Sequence, residues 1–371
     1  MLNVLSLFSG IGAFEKALEN LGIDYELVGY SEIDKFASKA YSLLHNVPES
    51  MNLGDITKID ETMLPKNLID LLTYGFPCQD ISIAGAKKGL VDKDGKKTRS
   101  GLFFDALRII EATKPKIAIA ENVKHLTSKS MKPIFDLVLS SLEEAGYNNY
   151  WAVMNAADYE IPQSRERVLI VSIRKDVDDG KFSFPAPVPL TTCMNDFLDD
   201  EVPESFYLSE EKTRSVLVHN AAHAGQICDR GGICTTLLSR DYKDPKVVIC
   251  KMEIKQIADL RHYGNDQMNR VYSPEGLAPT LKTVSGGGRE VKIYDGDRYR
   301  NLTPTEYFRL MGFTDADVEL LMANGISKTQ LYKMAGNSIS VKMLEHLFTA
   351  LYPQDKVTDL KRKSLELLGL L

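Results

Sequence analysis

The sequence predicts an α/β fold: a doubly wound, mostly parallel sheet joined to a smaller, mostly β domain. Three observations predict it. Short apolar runs alternate with amphipathic helical stretches from Asn3 to Ile173. The proline-rich stretch Phe184-Pro-Ala-Pro-Val-Pro189 then ends the alternation, because proline cannot continue a central strand. From there to about residue 300 the chain shows short β-like runs, glycines and few helical patterns.

The expected strands of the first part are Asn3–Phe8, Leu27–Ser31, Ile69–Tyr74, Lys116–Glu121, Tyr150–Asn155 and Arg167–Ile173. Between them, apolar residues recur at helical spacing over Ala13–Leu21, Asp34–His45, Leu102–Ala112 and Lys132–Ala145. Regular strand–helix alternation implies right-handed crossovers and a parallel sheet covered on both faces. Two similar stretches mark the second part, Gly231-Gly-Ile-Cys-Thr-Thr-Leu237 and Glu275-Gly-Leu-Ala-Pro-Thr-Leu281. Each precedes a polar loop and a basic–apolar strand, Lys246–Ile249 and Glu290–Ile293. They read as two hairpin units of a β domain; two copies are too few for a solenoid. Helical patterns return at Thr303–Gly312 and Val341–Leu351. The expected division is residues 1–183 with 328–371 as one domain and 184–327 as a second domain with its hinge.

Composition excludes several classes. The 371 residues are 44% hydrophobic and 26% charged, as in ordinary globular chains. No window approaches the roughly 18 consecutive apolar residues of a membrane span. Met1–Phe14 is apolar enough to suggest a signal peptide, but no basic residue precedes the run, and Glu15 and Lys16 follow where cleavage would occur. A buried first strand is the better expectation. Five scattered cysteines, Cys78, Cys193, Cys228, Cys234 and Cys250, do not form a disulfide framework, so a reducing, cytoplasmic setting is expected. His219, His223, Cys228 and Cys234 match no standard zinc knuckle, and no metal is expected.

The net charge of −6 argues at first against a polyanionic partner. That excess lies in residues 1–70, which hold eleven Asp and Glu against five Lys, so the remainder sums to zero. Residues 87–99 carry Lys87, Lys88, Lys93, Lys96, Lys97 and Arg99 against Asp92 and Asp94. A solvated loop explains such a run as well as a phosphate contact does. Charge permits nucleic acid without arguing for it.

Phe8-Ser-Gly-Ile-Gly12 follows the first strand and opens a helix, where glycines admit a ligand to the backbone and free N–H groups await it. Alone, a plain strand-to-helix turn explains it equally. Glu32 closes the second strand, 20 residues after Gly12, where a carboxylate can accept from both ribose hydroxyls. Asp55, in Gly54-Asp-Ile-Thr57, is expected to close a third short strand near an adenine amino group; a helix N-cap is the competing reading. Together these say nucleoside cofactor, without saying which.

Gly75-Phe-Pro-Cys-Gln-Asp-Ile-Ser82 leaves a strand at its carboxyl end, where open α/β sheets hold ligands. Pro77 fixes the backbone and Gly75 permits a bend, so Cys78 is presented as a nucleophile rather than packed as apolar filler. Glu121, in Glu121-Asn-Val123, should reach the same sheet edge, where burial beside a thiolate favours its protonated form. Gln163-Ser-Arg-Glu-Arg167 alternates charges, so Arg165 and Arg167 share a face suited to a pyrimidine carbonyl and a neighbouring acid. A structural ion pair is the alternative.

In this order, Phe8–Glu15, Ser31–Asp34, Gly54–Thr57, Gly75–Ser82, Glu121–Val123, Gln163–Val168 and Ala335-Gly-Asn-Ser338 resemble the defining motifs of the cytosine-5 DNA methyltransferases, of prokaryotic or phage type. The similarity runs from Val4 to about Phe348. Arg270-Val-Tyr, Thr280-Leu281 and Gly286-Gly-Gly288 resemble the end of that family's target-recognition domain, and Thr303–Phe313 the helix that follows. The resemblance implies a Rossmann-like methyltransferase sheet and S-adenosylmethionine as methyl donor, with S-adenosylhomocysteine as product. It implies that Cys78 adds to carbon-6 of a cytosine flipped from duplex DNA, with Glu121 on the ring nitrogen and amino group and Arg165 on the carbonyl, near Arg167. Phe8, Gly10, Gly12, Glu32, Ile33, Asp55, Ile56, Pro77, Asn337 and Ser338 would hold the cofactor; Gln79, Ser82, Thr280 and Gly287 would meet DNA. The implied partner is double-stranded DNA and no membrane, for a monomer; a cognate restriction endonuclease acting separately, an orphan enzyme and a phage enzyme all fit.

Two departures stand out. The loop between Gly85 and Phe103 exceeds that of compact members and carries the basic run, which suits a loop closing over flipped DNA; and there are two Thr-Leu units where one is expected. Methylation of RNA on the same fold is disfavoured by the size of the module after the proline stretch. A non-catalytic sensor is disfavoured by Cys78, Glu121 and Arg165 occurring together. A nicotinamide dehydrogenase would want a third glycine after Gly10-Ile-Gly12.

Overall fold

The computed structural model describes residues 1–77, 99–207, 256–259, 270–274, 276–281, 292–295 and 298–353. Cys78, Gln79, Ser82, Gly287, the basic run up to residue 98 and the first Thr-Leu unit lie outside the described residues.

Six strands form the main sheet: β1 (Leu2–Leu7), β2 (Tyr25–Ser31), β3 (Leu71–Tyr74), β4 (Ile117–Val123), β5 (Tyr147–Asn155) and β6 (Glu166–Arg174). Their order is β2-β1-β3-β4-β6-β5. The β1–β2, β1–β3 and β3–β4 pairs are parallel. The last two strands depart from the expected alternation: β6 runs antiparallel to both β4 and β5. No α-helix lies between β5 and β6, where a short 3-10 turn at Ala156–Asp158 and Pro162 occupy the connection. Without a crossover helix the chain returns as a hairpin.

Alternation along the strands fills two layers. Leu5, Leu7, Leu72, Tyr74, Ala118, Val168 and Ile170 pack under α3 (Phe103–Thr113) and α4 (Lys132–Glu144), whose Phe103, Ile109, Ile110, Phe135 and Val138 complete that core. Val4, Leu71, Ile119, Leu169 and Val171 face the opposite core with α1 (Ala13–Asn20), and α2 (Lys35–Leu44) lends Ala37 and Ala40 to it. Four helices end the described chain: α5 (Pro304–Arg309), α6 (Asp315–Ala323), α7 (Lys328–Asn337) and α8 (Val341–Leu351). The α8 helix packs on α1, with Phe14 and Phe348 edge to face at 6.3 Å. α6 and α7 were not expected from apolar spacing. Their starts carry polar signatures instead: Thr314 and Asp317 form a reciprocal capping box, and Ser327 accepts from the backbone of Gln330.

A second sheet has the order β10-β9-β8-β7, from β7 (Gln256–Asp259), β8 (Arg270–Tyr272), β9 (Lys292–Asp295) and β10 (Arg298–Asn301). Its Tyr272 and Ile293 join the core that holds α5 and α8. At the junction Arg300 makes two hydrogen bonds to Glu306, at 2.9 and 3.0 Å, with both residues at most 1% exposed. The backbone N–H groups of Thr303 and Asp199 also donate to Glu306. Four hydrogen bonds thus converge on the buried Glu306 carboxylate, which resists separation of β10 from α5.

Strand register sets the site. Ser31, Leu7, Tyr74 and Ala120 form one row across β2, β1, β3 and β4. One step further along each strand puts Glu32, Phe8, Gly75 and Glu121 on the same carboxyl edge. Strand order reverses between β1 and β3, which opens a crevice there.

Candidate active site

A cavity of about 320 Å³ occupies that crevice. Its wall includes Phe8, Gly10, Glu32, Pro77, Glu121, Asn337 and Ser338. The volume suits a nucleoside-sized ligand, at the lower end of small-molecule sites. Phe8 adopts φ 53, a costly conformation for a residue with a side chain, and it turns the chain out of β1. Gly10, at φ +57, has nothing within 4 Å of the position a side chain would take, so the backbone there is open to a ligand.

Glu32 lies beneath this loop. Its carboxylate accepts from the backbone N–H groups of Gly10 at 2.9 Å and Asp34 at 2.7 Å. Burial pushes its carboxyl above the ordinary carboxylate range, against the lowering effect of those bonds. Each oxygen keeps a free acceptor direction, so two neighbouring hydroxyls of a ligand can still be bound. Across the cleft Lys333 of α7 donates to Asp34, joining the two walls. Asp34 also caps α2 through the N–H groups of Phe36 and Ala37.

At the other end of the cavity, Arg167 Nε lies 2.8 Å from Glu121 Oε1. The register explains the contact: Arg167 is opposite Val123, so its side chain shares a face with Glu121, one pleat away. Burial pushes the Glu121 carboxyl up, and the positive charges of Arg167 and Arg165 offset this only in part. Gly75 sits against the other carboxyl oxygen of Glu121. Asn122 faces away and donates from Nδ2 to the Phe76 carbonyl at 2.8 Å. That bond pins the peptide that leads through Pro77 to residue 78. Sequence reasoning gave Asn122 no role, although its place between Glu121 and Val123 marked it.

Other expected residues sit elsewhere. Arg165 is 1% exposed and lies off the cavity wall. Its terminal nitrogens donate to the carbonyls of Leu281, Gly336 and Ser338, while its Nε has no partner among the described residues. Burial lowers this guanidinium to about 9, with Arg167 adding to the effect. Asp55 does not close a strand: Gly54, at φ +71, breaks the extended chain after a single bridge between Tyr30 and Asn52. Asp55 instead caps the short 3-10 turn Ile56–Lys58, accepting from the N–H and hydroxyl of Thr57. Gly12, Ile33, Asp55 and Ile56 are not on the cavity wall; Ile33 is 78% exposed and Ile56 buried. Thr280 spends its hydroxyl on the Ser164 carbonyl, and the Leu281 N–H donates to Gln163. Gln163 also donates to the Leu310 carbonyl at 2.7 Å, so this glutamine ties the approach to β6, the Thr280-Leu281 strap and α5 together.

The described residues contain no group of three or more His, Cys, Asp or Glu able to hold a metal ion, and no helix long and apolar enough to cross a membrane.

The mostly parallel sheet with helices on both faces is a Rossmann-like methyltransferase fold. It resembles the Entamoeba histolytica methyltransferase EhMeth, with a TM-score of 0.64 at 17% identity, over 95% of this chain and 98% of that one. It also resembles S. pombe Dnmt2 methyltransferase, at 0.62 and 20%, over 97% and 99%. Over residues 2–352 the chain belongs to the C-5 cytosine-specific DNA methylase family. It is a DNA cytosine-5 methyltransferase, and that activity implies S-adenosylmethionine as methyl donor. Relatives include the orphan methyltransferase M.SPBetaI of Bacillus phage SPbeta, 33% identical over 94% of this chain and 97% of that protein. The type II methyltransferase M.HhaI of Haemophilus parahaemolyticus is 32% identical over 93% of each. The type II methyltransferase M2.ScrFI of Lactococcus lactis subsp. cremoris is 33% identical over 95% and 99%.

Proposed function

We propose that the enzyme methylates cytosine in duplex DNA by covalent catalysis from Cys78, with the target base flipped into the cavity between Glu121 and the cofactor. The observation that carries this reading is one wall: Glu32, Glu121 and Pro77, the residue before Cys78, line the same cavity. The carboxyl edge thus offers a ribose acceptor, a second, part-buried carboxyl and the approach to a thiol within one crevice.

The chemistry accounts for each part. Carbon-5 of cytosine is a poor nucleophile until a thiolate has added to carbon-6, so covalent catalysis divides one hard step into two easier ones. The Cys78 sulfur bonds to carbon-6 while Glu121, whose carboxyl burial pushes upward, donates as the acid to the ring nitrogen that gains electron density. S-adenosylmethionine supplies the electrophilic methyl group. Loss of the carbon-5 proton to a base re-forms the double bond and expels the Cys78 thiolate. Arg165 is assigned to the carbonyl; its terminal nitrogens are held by backbone carbonyls and it lies buried off the cavity wall, so this role requires its side chain to shift when the base enters. Flipping exposes the ring faces at a cost of roughly a few kcal/mol.

For the cofactor, Glu32 receives the ribose hydroxyls, the Phe8–Gly12 loop faces the methionine moiety, and Asn337 and Ser338 close the pocket. Ile33 covers the adenine from its exposed position, with Asp55 and Ile56 beyond it. Residues 184–327 form the target-recognition module and hinge, which holds the assigned DNA contacts Thr280 and Gly287; Gln79 and Ser82, just after Cys78, are assigned to DNA from the catalytic domain. The enzyme acts as a monomer in the cytoplasm, in a restriction–modification, orphan or phage setting.

Bisulfite sequencing of DNA from cells expressing the protein tests activity and target together. Protected cytosines in one sequence context, lost with Cys78→Ser, are expected. Protection that persists in the variant removes Cys78 from the mechanism.

A further inference from the structure

The glycine loop is held from behind by a histidine that the catalytic reading does not use. His45, at the end of α2, is enclosed with its side chain 0% exposed. Its Nε2 lies 3.0 Å from the carbonyl oxygen of Ile11, and its Nδ1 lies 2.7 Å from Glu19 Oε1. Ile11 lines the cofactor cavity. A side chain at Gly12, already at φ +77, would overlap this imidazole, so the absence of a Cβ there serves His45.

Both partners of the ring are acceptors. A backbone carbonyl cannot donate. Glu19 Oε1 already accepts from the Tyr25 hydroxyl at 2.8 Å, and the bonds from His45 and Tyr25 outweigh its burial, so its carboxyl lies below the ordinary range. A neutral imidazole has one N–H and would set a lone pair against one of these oxygens. Only the doubly protonated ring satisfies both.

We propose that His45 is a positioning residue: an imidazolium strut between Glu19 and Ile11 that fixes the Gly10–Gly12 loop for S-adenosylmethionine. This rests on the assignment of that loop to the cofactor.

The surroundings support the charge. From α1, Glu15 and Glu19 face the ring; from β2, Tyr25 reaches it through Glu19; on its own helix Tyr41 packs at 4.6 Å between ring centres. Lys16 acts on Glu19. Burial alone would lower the imidazole, but the bond to Glu19 and the charges of Glu15 and Glu19 hold it above its usual value. Glu15 is 0% exposed, and burial raises its carboxyl against the lowering effect of the His45 charge. Since the His45 pKa is raised, its contribution is full below the unfolded value and is lost as pH rises through the folded-state value, and at the acid end the strut lasts only while Glu19 stays ionised.

Two measurements test this on the full-length protein. Nitrogen NMR of the cofactor-free enzyme at pH 7.5 should show both His45 nitrogens protonated; a neutral tautomer overturns the proposal. Calorimetry with S-adenosylmethionine from pH 6.5 to 9.5 should show affinity falling by about 10-fold as the ring titrates, the loss expected for one charge-assisted bond. Glu19→Gln should move the fall to lower pH, and His45→Gln should weaken binding with a flattened profile. A wild-type affinity independent of pH, or a His45→Gln profile like that of the wild type, overturns the strut. Failure to bind at any pH would strike the cofactor assignment alone, because the NMR reading is made without cofactor.

Discussion

Glu121 and Arg167 face each other across adjacent antiparallel strands at 2.8 Å, at the spot where the chain from β3 turns toward residue 78. Burial favours the protonated carboxyl, the guanidinium favours the charged one, and burial prevails.

Glu121→Gln keeps the shape and removes the proton source. Methyl transfer should fall by about 10²–10⁴-fold in single-turnover assays, the usual contribution of general acid catalysis. Cofactor affinity should change little. In the wild type the transfer step should slow as pH rises through the raised Glu121 pKa, and Glu121→Gln should abolish that limb.

Asn122→Ala removes the donor to the Phe76 carbonyl and leaves that oxygen unsatisfied. The expected cost is about 1–3 kcal/mol, concentrated on the turn before Cys78. Stopped-flow and calorimetric data should show a larger loss in transfer rate than in cofactor binding. Equal losses in both would make Asn122 a general structural residue.

Glu32→Ala should weaken S-adenosylmethionine binding by about 10–100-fold, since bonds to a charged acceptor are worth roughly 1.5–3 kcal/mol. It also frees the N–H groups of Gly10 and Asp34. Unchanged affinity by calorimetry would remove Glu32 from the site.

Arg300→Ala would strand Glu306 as a buried charge between β10 and α5. A loss of about 3–5 kcal/mol in denaturant unfolding is expected. The double variant Arg300→Met with Glu306→Leu should recover much of it.

The first four strands were legible in the sequence because each is a buried apolar run ending in a turn or cap, and their register then carries Phe8, Glu32, Gly75 and Glu121 to one edge. The parallel direction of those four followed from their alternation with helices, but the direction of β6 was not legible. The apolar pattern of β6 is the same whichever way it runs, and only the missing helix between Asn155 and Glu166 distinguishes a hairpin from a crossover. Asp55 was misplaced because an acid after glycine suits a strand end and a turn cap equally, and Thr57 decides for the cap. Arg165 and Arg167 share one face, as their spacing implies, yet tertiary partners divide them. Arg167 meets Glu121, while Arg165 is drawn to the carbonyls of Leu281, Gly336 and Ser338, contacts more than 100 residues apart that no local pattern encodes.

The most direct test uses duplex DNA in which the target cytosine carries fluorine at carbon-5. Fluorine cannot leave as a cation, so the final elimination fails after methyl transfer and the enzyme stays bonded to carbon-6. Incubation with S-adenosylmethionine, digestion and mass spectrometry should yield one DNA adduct, on the peptide containing Cys78, with the methyl group incorporated. An adduct on another residue, or normal methylation of ordinary DNA with no trapped species on the fluorinated duplex, would contradict covalent catalysis by Cys78.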